Sequence, residues 1–445
     1  MKRLIQTVKN IWKIEDLRFR IITTLWFVLI YRIGSYIVLP GIDAADLHDK
    51  MAGGGKGGGI MGLFDIFAGG AWNRASIFAL GIMPYITASI IIQLLTMAVP
   101  FFQKLQKEGE SGRRTLNSYT RVLTVAVCLF QSFGYYLYIT KSLGAVVLVN
   151  EGMFRFSTMI ILTAGTIFTM WMGEKIQDKG IGNGISLLIM VGIIARLPFA
   201  LQQEFSSRVN DVGGGGLITF IIELAALLGV IVVTILLVQG TRKIPVNYAK
   251  RVVGNKQYGG VRQYVPLKVN AAGVMPIIFA QALMFIPATV MSVTNSGSAG
   301  DNVFTDHTSF VYNLIFSVLI VAFTYFYTAL IINPIQMADE MKRQGGFIPG
   351  IKPGRKTADY IDSIMSKITL PGACFLAFVA IMPGFAAVFG VTSGFAAFFG
   401  GTSLLITVGV ILDTLQQIES HLLMRHYDGL MKSGRIKGRT NVPTM

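Results

Sequence analysis

The chain has 445 residues, 53% of them hydrophobic and only 14% charged, with a mean hydropathy of +0.59. These values exclude a soluble globular domain and point to an integral membrane protein. The net charge of +16 is concentrated in alternate connections between apolar runs, so it reads as positive-inside topology rather than as a nucleic-acid surface.

Ten apolar runs are long enough to span, at roughly 19–39, 76–99, 122–140, 155–172, 184–200, 217–239, 269–292, 310–332, 368–389 and 401–420. Ahead of them, Ile5, Val8, Ile11, Trp12 and Ile14 interleave with Lys9, Lys13, Arg18 and Arg20, the pattern of a helix lying on the cytoplasmic surface. The first run ends in Leu39-Pro40-Gly41 without a small-residue cleavage site, so it is expected to stay as a span. The bias of Lys and Arg puts both termini in the cytoplasm.

The segment 40–75 carries the glycine-rich stretch Gly53 to Gly59, a flexible tether without the Lys-Ser or Lys-Thr pair of a phosphate loop. After it, Ile60, Leu63, Phe64 and Phe67 fall at i, i+3, i+4 and i+7 and end at Gly69-Gly70. This apolar helix is too short to span; it is either a re-entrant segment at the interface or an element folded back into a cavity. Gly180-Ile181-Gly182-Asn183-Gly184 follows no strand, so it is not a nucleotide loop.

Four glycines at 213–216 mark the best boundary between two halves, 1–212 and 213–445. Two basic inside loops lie in the second half. The loop 240–268 holds Arg242, Lys243, Lys250, Arg251, Lys256, Arg262 and Lys268, with a hairpin tip expected at Val252 to Lys256. The loop 333–367 holds Lys352, Arg355 and Lys356 around the turn sequence Pro349-Gly350-Ile351-Lys352-Pro353-Gly354. Both read as docking elements for RNA phosphates or an acidic protein surface.

The two halves echo one another. Gly81-Ile82-Met83-Pro84-Tyr85-Ile86 in the second run matches Gly273-Val274-Met275-Pro276-Ile277-Ile278 in the seventh. Gly184-Ile185-Ser186-Leu187-Leu188-Ile189 in the fifth matches Gly401-Thr402-Ser403-Leu404-Leu405-Ile406 in the tenth. Each half has an odd number of spans, so the second runs through the membrane in the opposite sense, as an inverted-topology repeat. If the halves clasp, Ile82, Ile86, Ile189, Ile278 and Ile406 converge near mid-membrane. Stiff β-branched side chains there would exclude water and ions by dewetting.

Neither an ATP site nor a nucleophile with an activating base is present, so no enzyme is expected. Two cysteines within apolar runs and four scattered histidines give no disulfide framework, metal site or cofactor site. A passive protein-conducting channel competes with an inverted-repeat secondary transporter for a small solute. The transporter would place ionisable residues on the midplane pathway, and Glu223, Asp413 and Arg32 are the clear intramembrane candidates.

Six stretches carry a family resemblance: Arg74 to Leu95, Glu108 to Arg114, Gly180 to Ser186, Val246 to Arg251, Pro266 to Asn270 and Gly400 to Ile406. Together they resemble the SecY family, the central subunits of the bacterial protein-translocation channel, over nearly the whole chain. The resemblance implies an all-α polytopic protein of the bacterial cytoplasmic membrane. Ten transmembrane helices would form two inverted-topology halves of five around a pore for unfolded secretory proteins, with sideways release of hydrophobic segments into the lipid. It maps a pore ring onto the five isoleucines, a plug onto about 60–72, and a lateral gate near Thr87, Gln131 and Ile286. Implied partners are SecE, SecG, the SecA motor, the translating ribosome, signal peptides and unfolded or nascent preproteins, membrane lipids and further accessory subunits. The chain departs from the family in having Lys352 before Pro-Gly and Asn255-Lys256 at the other tip, where arginines are usual. Lysine keeps the charge but loses the bidentate fork.

Overall fold

Helices dominate because most of the chain must satisfy its backbone internally, and the sequence punctuates them at their ends. The computed structural model describes residues 12, 14–43, 65–142, 150–210, 216–248, 251–253, 256–258, 262–281, 283–284 and 309–433. The first helix, α1 (Glu15–Gly34), is followed by α2 (Met83–Ala98), α3 (Pro100–Lys107), α4 (Glu110–Leu137), α5 (Glu151–Lys179), α6 (Gly184–Asn210) and α7 (Gly216–Gln239). After a strand-rich segment come α8 (Phe310–Ile331), α9 (Pro334–Arg343), α10 (Arg355–Val388), α11 (Ser393–Ala396) and α12 (Gly401–Ser433). Residues 275–281 and 283–284 are also helical, in the seventh apolar run. Proline opens α2, α3 and α9, where its missing N–H costs nothing. Asn150 and Asn333 cap α5 and α9 by accepting backbone N–H groups with their side chains.

Among the described residues seven helices are long and apolar enough to cross a membrane. An eighth is reached if α2 and α3, bent by 97° at Val99, are one broken span. The chain is a multi-pass helical membrane protein. The amphipathic N-terminal segment lies almost wholly outside the described residues, as do the glycine tether with Ile60, Leu63 and Phe64, the glycine boundary at 213–215, Lys250, Asn255 and Ile286.

Two expectations are corrected. The second helix starts at Met83 rather than near 76, because 76–82 is a tight irregular run: Ser76 bridges to Val38, the Ile77 N–H donates to the Ile37 carbonyl at 2.9 Å, and Gly81 turns left-handed at φ +53°. The ninth span's helix begins at Arg355, because exposed Lys356, Asp359 and Tyr360 extend it as an amphipathic stem below the apolar threshold. The helical fold carries the small sheet that the turn residues of the basic loop led one to expect. The basic loop 240–268 pairs β1 (Thr241–Tyr248) with β4 (Arg262–Lys268), the short strands β2 (Arg251–Val253) and β3 (Lys256–Tyr258) sit at the tip, and β5 (Gly346–Phe347) adds to β1. Ile244, Val246, Leu267, Ile348 and Ile361 bury a small core that fixes this sheet to the base of α10.

Packing joins the two halves in several places. α6 lies against α7, α11 and α12. The connection before α6 is held from both sides, with the Ile181 N–H donating to Thr24 Oγ1 at 3.1 Å and the Gly182 N–H to Gln417 Oε1 at 2.8 Å.

Candidate functional site

The repeat seen in the sequence is a repeat of backbone geometry. Gly81 and Gly273 adopt φ +53° and +65°, values open to glycine, and a helix starts two residues later at Met83 and Met275. Between them, the carbonyls of Ile82 and Val274 each accept from the residues three and four further on. Ile86 and Ile278 therefore occupy the same position, in the first turn of their helices. Ile189 and Ile406 likewise stand equally far into α6 and α12.

All five isoleucines meet in one apolar cluster. Ile82, Ile189 and Ile406 are buried in it, and half-buried Ile86 and Ile278 pack against it. Phe67 is buried in the same cluster. Ile82 reaches it from the irregular turn before α2 rather than from the helix itself. Ile86 and Ile278 also join a second cluster with Ile90, Ala272, Phe279 and Tyr327.

The segment behind Phe67 is seated by residues that spacing in the sequence did not single out. Residues 65–67 make a short helical piece followed by turns. Asp65, 1% exposed, is ion-paired with Arg196 of α6 and accepts the Asn73 N–H at 3.0 Å. Arg32 of α1 donates to the Gly69 carbonyl at 2.9 Å. Gly192 of α6 lets the backbone close up: a Cβ there would lie 2.7 Å from the Phe67 carbonyl oxygen. Ile189, Gly192 and Arg196 recur at i, i+3 and i+7, so one face of α6 presents the apolar neck, the seat and the cation in sequence. On the far side the Tyr135 hydroxyl donates to the Trp72 carbonyl at 2.6 Å.

Between α2 and α8 runs a seam that is mostly apolar. Its described side-chain hydrogen bond is from the Tyr327 hydroxyl to Gln93 Oε1, at 3.0 Å. Thr87 is half-buried and its hydroxyl is used within α2, donating to the Met83 carbonyl at 3.1 Å. Gln131 is half-buried on α4, the helix packed beside α2.

The basic loops stand clear of this core. Arg242 and Lys243 are exposed on β1, and Arg251 and Lys256 lie in β2 and β3, paired with Tyr258 and Val253. Lys352 is exposed on the turn before α10, and Arg355 and Lys356 are exposed on its first turn. Among the described residues no group of three or more His, Cys, Asp or Glu is placed to hold a metal.

The comparisons with known proteins agree with this architecture. The family model SecY matches residues 76–415. The protein translocase subunit SecY of Mycobacterium bovis is 42% identical over 436 residues, covering 94% of this chain and 97% of its own. That of Thermotoga maritima is 41% identical over 440 residues, covering 98% and 99%. Among solved structures, a protein-conducting channel superposes with a TM-score of 0.64 at 18% identity, covering 95% of each chain. Sec61 in the canine ribosome–channel complex gives 0.60 at 17%, again covering 95% of each. Matched along its length by sequence and by fold, the chain belongs to the SecY family.

Proposed function

We propose that the chain is the pore-forming subunit of a bacterial protein-translocation channel. It passes unfolded secretory proteins across the cytoplasmic membrane and releases hydrophobic segments sideways into the lipid. The observation that carries the reading is the meeting of five isoleucines, from both repeats, in one cluster that also contains Phe67. An apolar constriction resists ions by dewetting, yet offers an extended polypeptide no hydrogen bond or charge to hold it back. In this reading the five isoleucines are the pore ring, and 60–72 is the plug. The α2/α8 seam, with Thr87, Gln131 and Ile286 nearby, belongs to the lateral gate. Residues 1–212 and 213–445 form the two halves, and both termini face the cytoplasm.

The subunit is passive and performs no catalysis of its own. Work comes from partners docked on the basic strands and on the Lys352 to Lys356 turn, where exposed cations are raised above the membrane core. A SecA motor and a translating ribosome fit those surfaces, with SecE and SecG completing the membrane complex. A solute transporter is not favoured, since the matched positions of the two repeats carry isoleucine or valine rather than ionisable groups.

Reconstitution tests this. Liposomes holding the chain with its membrane partners should import an unfolded preprotein when motor and ATP are supplied. Solute uptake driven by an ion gradient, without preprotein import, would overturn the proposal. Replacing Ile86 and Ile278 together by asparagine should make the resting channel conduct ions, and an unchanged resting conductance would remove the ring assignment.

A further inference from the structure

The densest set of buried charges in the described chain lies away from the neck, at the joint of α6 and α7. Glu204 and Arg208 stand one turn apart on α6, and Glu223 faces them from α7. Their side chains are 0%, 11% and 9% exposed. Arg208 Nε donates to Glu204 Oε1 at 2.9 Å, and Arg208 Nη2 donates to Glu223 Oε1 at 2.5 Å and to the Gly390 carbonyl at 2.8 Å. Glu204 Oε2 accepts both the backbone N–H of Thr392, at 2.9 Å, and its hydroxyl.

Counting donors against lone pairs leaves a gap. A carboxylate oxygen has about two acceptor sites. Glu204 Oε2 has both filled, and Glu204 Oε1 has one open. Among the described residues Glu223 Oε2 is buried with no hydrogen-bond partner, while the Glu223 and Glu204 carboxylates accept from Nη2 and Nε of the same guanidinium. The charges are unbalanced as well, since two carboxylates share one guanidinium. The surrounding described turns supply nothing further: 380–388 at the end of α10, 393–396 and 401–412 contain no ionisable residue, and 390–392 offers a carbonyl and Thr392. Among the described residues Glu223 is ion-paired with Arg208, which also holds Glu204.

We propose that this joint is a proton-binding site, with one proton held at neutral pH on Glu223 Oε2 and donated to the open lone pair of Glu204 Oε1. That single proton satisfies the orphan oxygen and makes the cluster neutral. Carboxyl pairs in contact share a proton for the same reason, because two adjacent charges in a low dielectric cannot both persist. Its loss would leave a buried net negative charge where α6, α7 and the 390–392 turn meet, loosening a contact between the two repeats. The site stands independently of the channel reading.

The test is infrared spectroscopy on the full-length chain with its co-purifying subunits in lipid nanodiscs. At neutral pH the spectrum should contain the carbonyl stretch of a buried carboxylic acid, shifted by deuterated water and lost in Glu223→Gln. The glutamine amide can donate to Glu204 in the proton's place, so that variant should keep its melting temperature. In the wild type the melting temperature should fall as rising pH removes the band, because a proton bound only in the folded state stabilises it less as protons become scarce. In Glu223→Gln that slope should vanish. Should Glu223→Gln fail to fold, loss of the same band in Glu204→Gln would serve as the support. No acid band at neutral pH, as when a cation from a co-purifying subunit balances the charge, overturns the proposal; so does a band that survives both substitutions.

Discussion

The two regions proposed as closures, the segment carrying Phe67 and the α2/α8 seam, are built from different chemistry. The segment carrying Phe67 is seated by an ion pair to α6, a guanidinium on its Gly69 carbonyl and a glycine that admits its backbone. The α2/α8 seam rests on aromatic and aliphatic contact, with the one described side-chain hydrogen bond from Tyr327 to Gln93. Apolar contact has no direction, so an incoming hydrophobic segment can replace it at little cost. Polar contacts have defined partners, and a segment leaving its seat strands them. In the proposed channel the Phe67 segment would therefore act as a catch, and the α2/α8 seam as a surface that tolerates exchange.

The strongest way to break this contrast is at the catch. Asp65→Asn leaves Arg196 without its carboxylate, and the loss of one partner of a buried pair costs about 3 kcal/mol. At about 1.4 kcal/mol per tenfold, the open fraction should rise roughly a hundredfold, read as resting current in planar bilayers. In an Arg196→Met background the same change should add little, because the partner is already gone. Next in size, Gly192→Val forces a side chain against the Phe67 carbonyl, an overpacking cost of about 2 kcal/mol, and should also raise resting current. Tyr327→Phe removes one hydrogen bond worth about 1 kcal/mol. It should raise sideways insertion of a marginally hydrophobic segment about fivefold with no change in axial current. If Tyr327→Phe leaks ions as Asp65→Asn does, the division between the two closures fails. Smallest is Arg355→Gln with Lys356→Gln: exposed charges contribute within about 0.5 kcal/mol, so melting temperature and resting current should hold while motor-driven import declines.

How much was readable in advance differs from element to element. Helices in the long apolar runs were legible because hydropathy measures what a bilayer selects. The hairpin was legible from its turn residues, and Ile244 and Pro245 do pair with Val265 and Tyr264. Residues 76–82 were not, since their composition is that of a span while their backbone is fixed by Ile37, Val38 and Gly81. The repeat supplied a second copy of two of the positions, Ile86 with Ile278 and Ile189 with Ile406, while Ile82 is matched by Val274, and all five isoleucines meet in one cluster. The Asp65–Arg196 pair had no such signal: its partners are 131 residues apart, and neither follows a spacing rule. Arg32 was visible as a charge in an apolar run, but its carbonyl partner at Gly69 is a backbone atom that sequence patterns do not register.

The left-handed turns at Gly81 and Gly273 have an electrostatic consequence. Each starts a helix within one turn of the isoleucine cluster, so the amino ends of α2 and of 275–281 lie beside that cluster. A helix amino terminus carries roughly half a positive charge, and in a dry constriction that field is poorly screened. In the proposed channel two such termini beside the neck would repel protons and small cations along the axis, a barrier that adds to dewetting and needs no charged side chain.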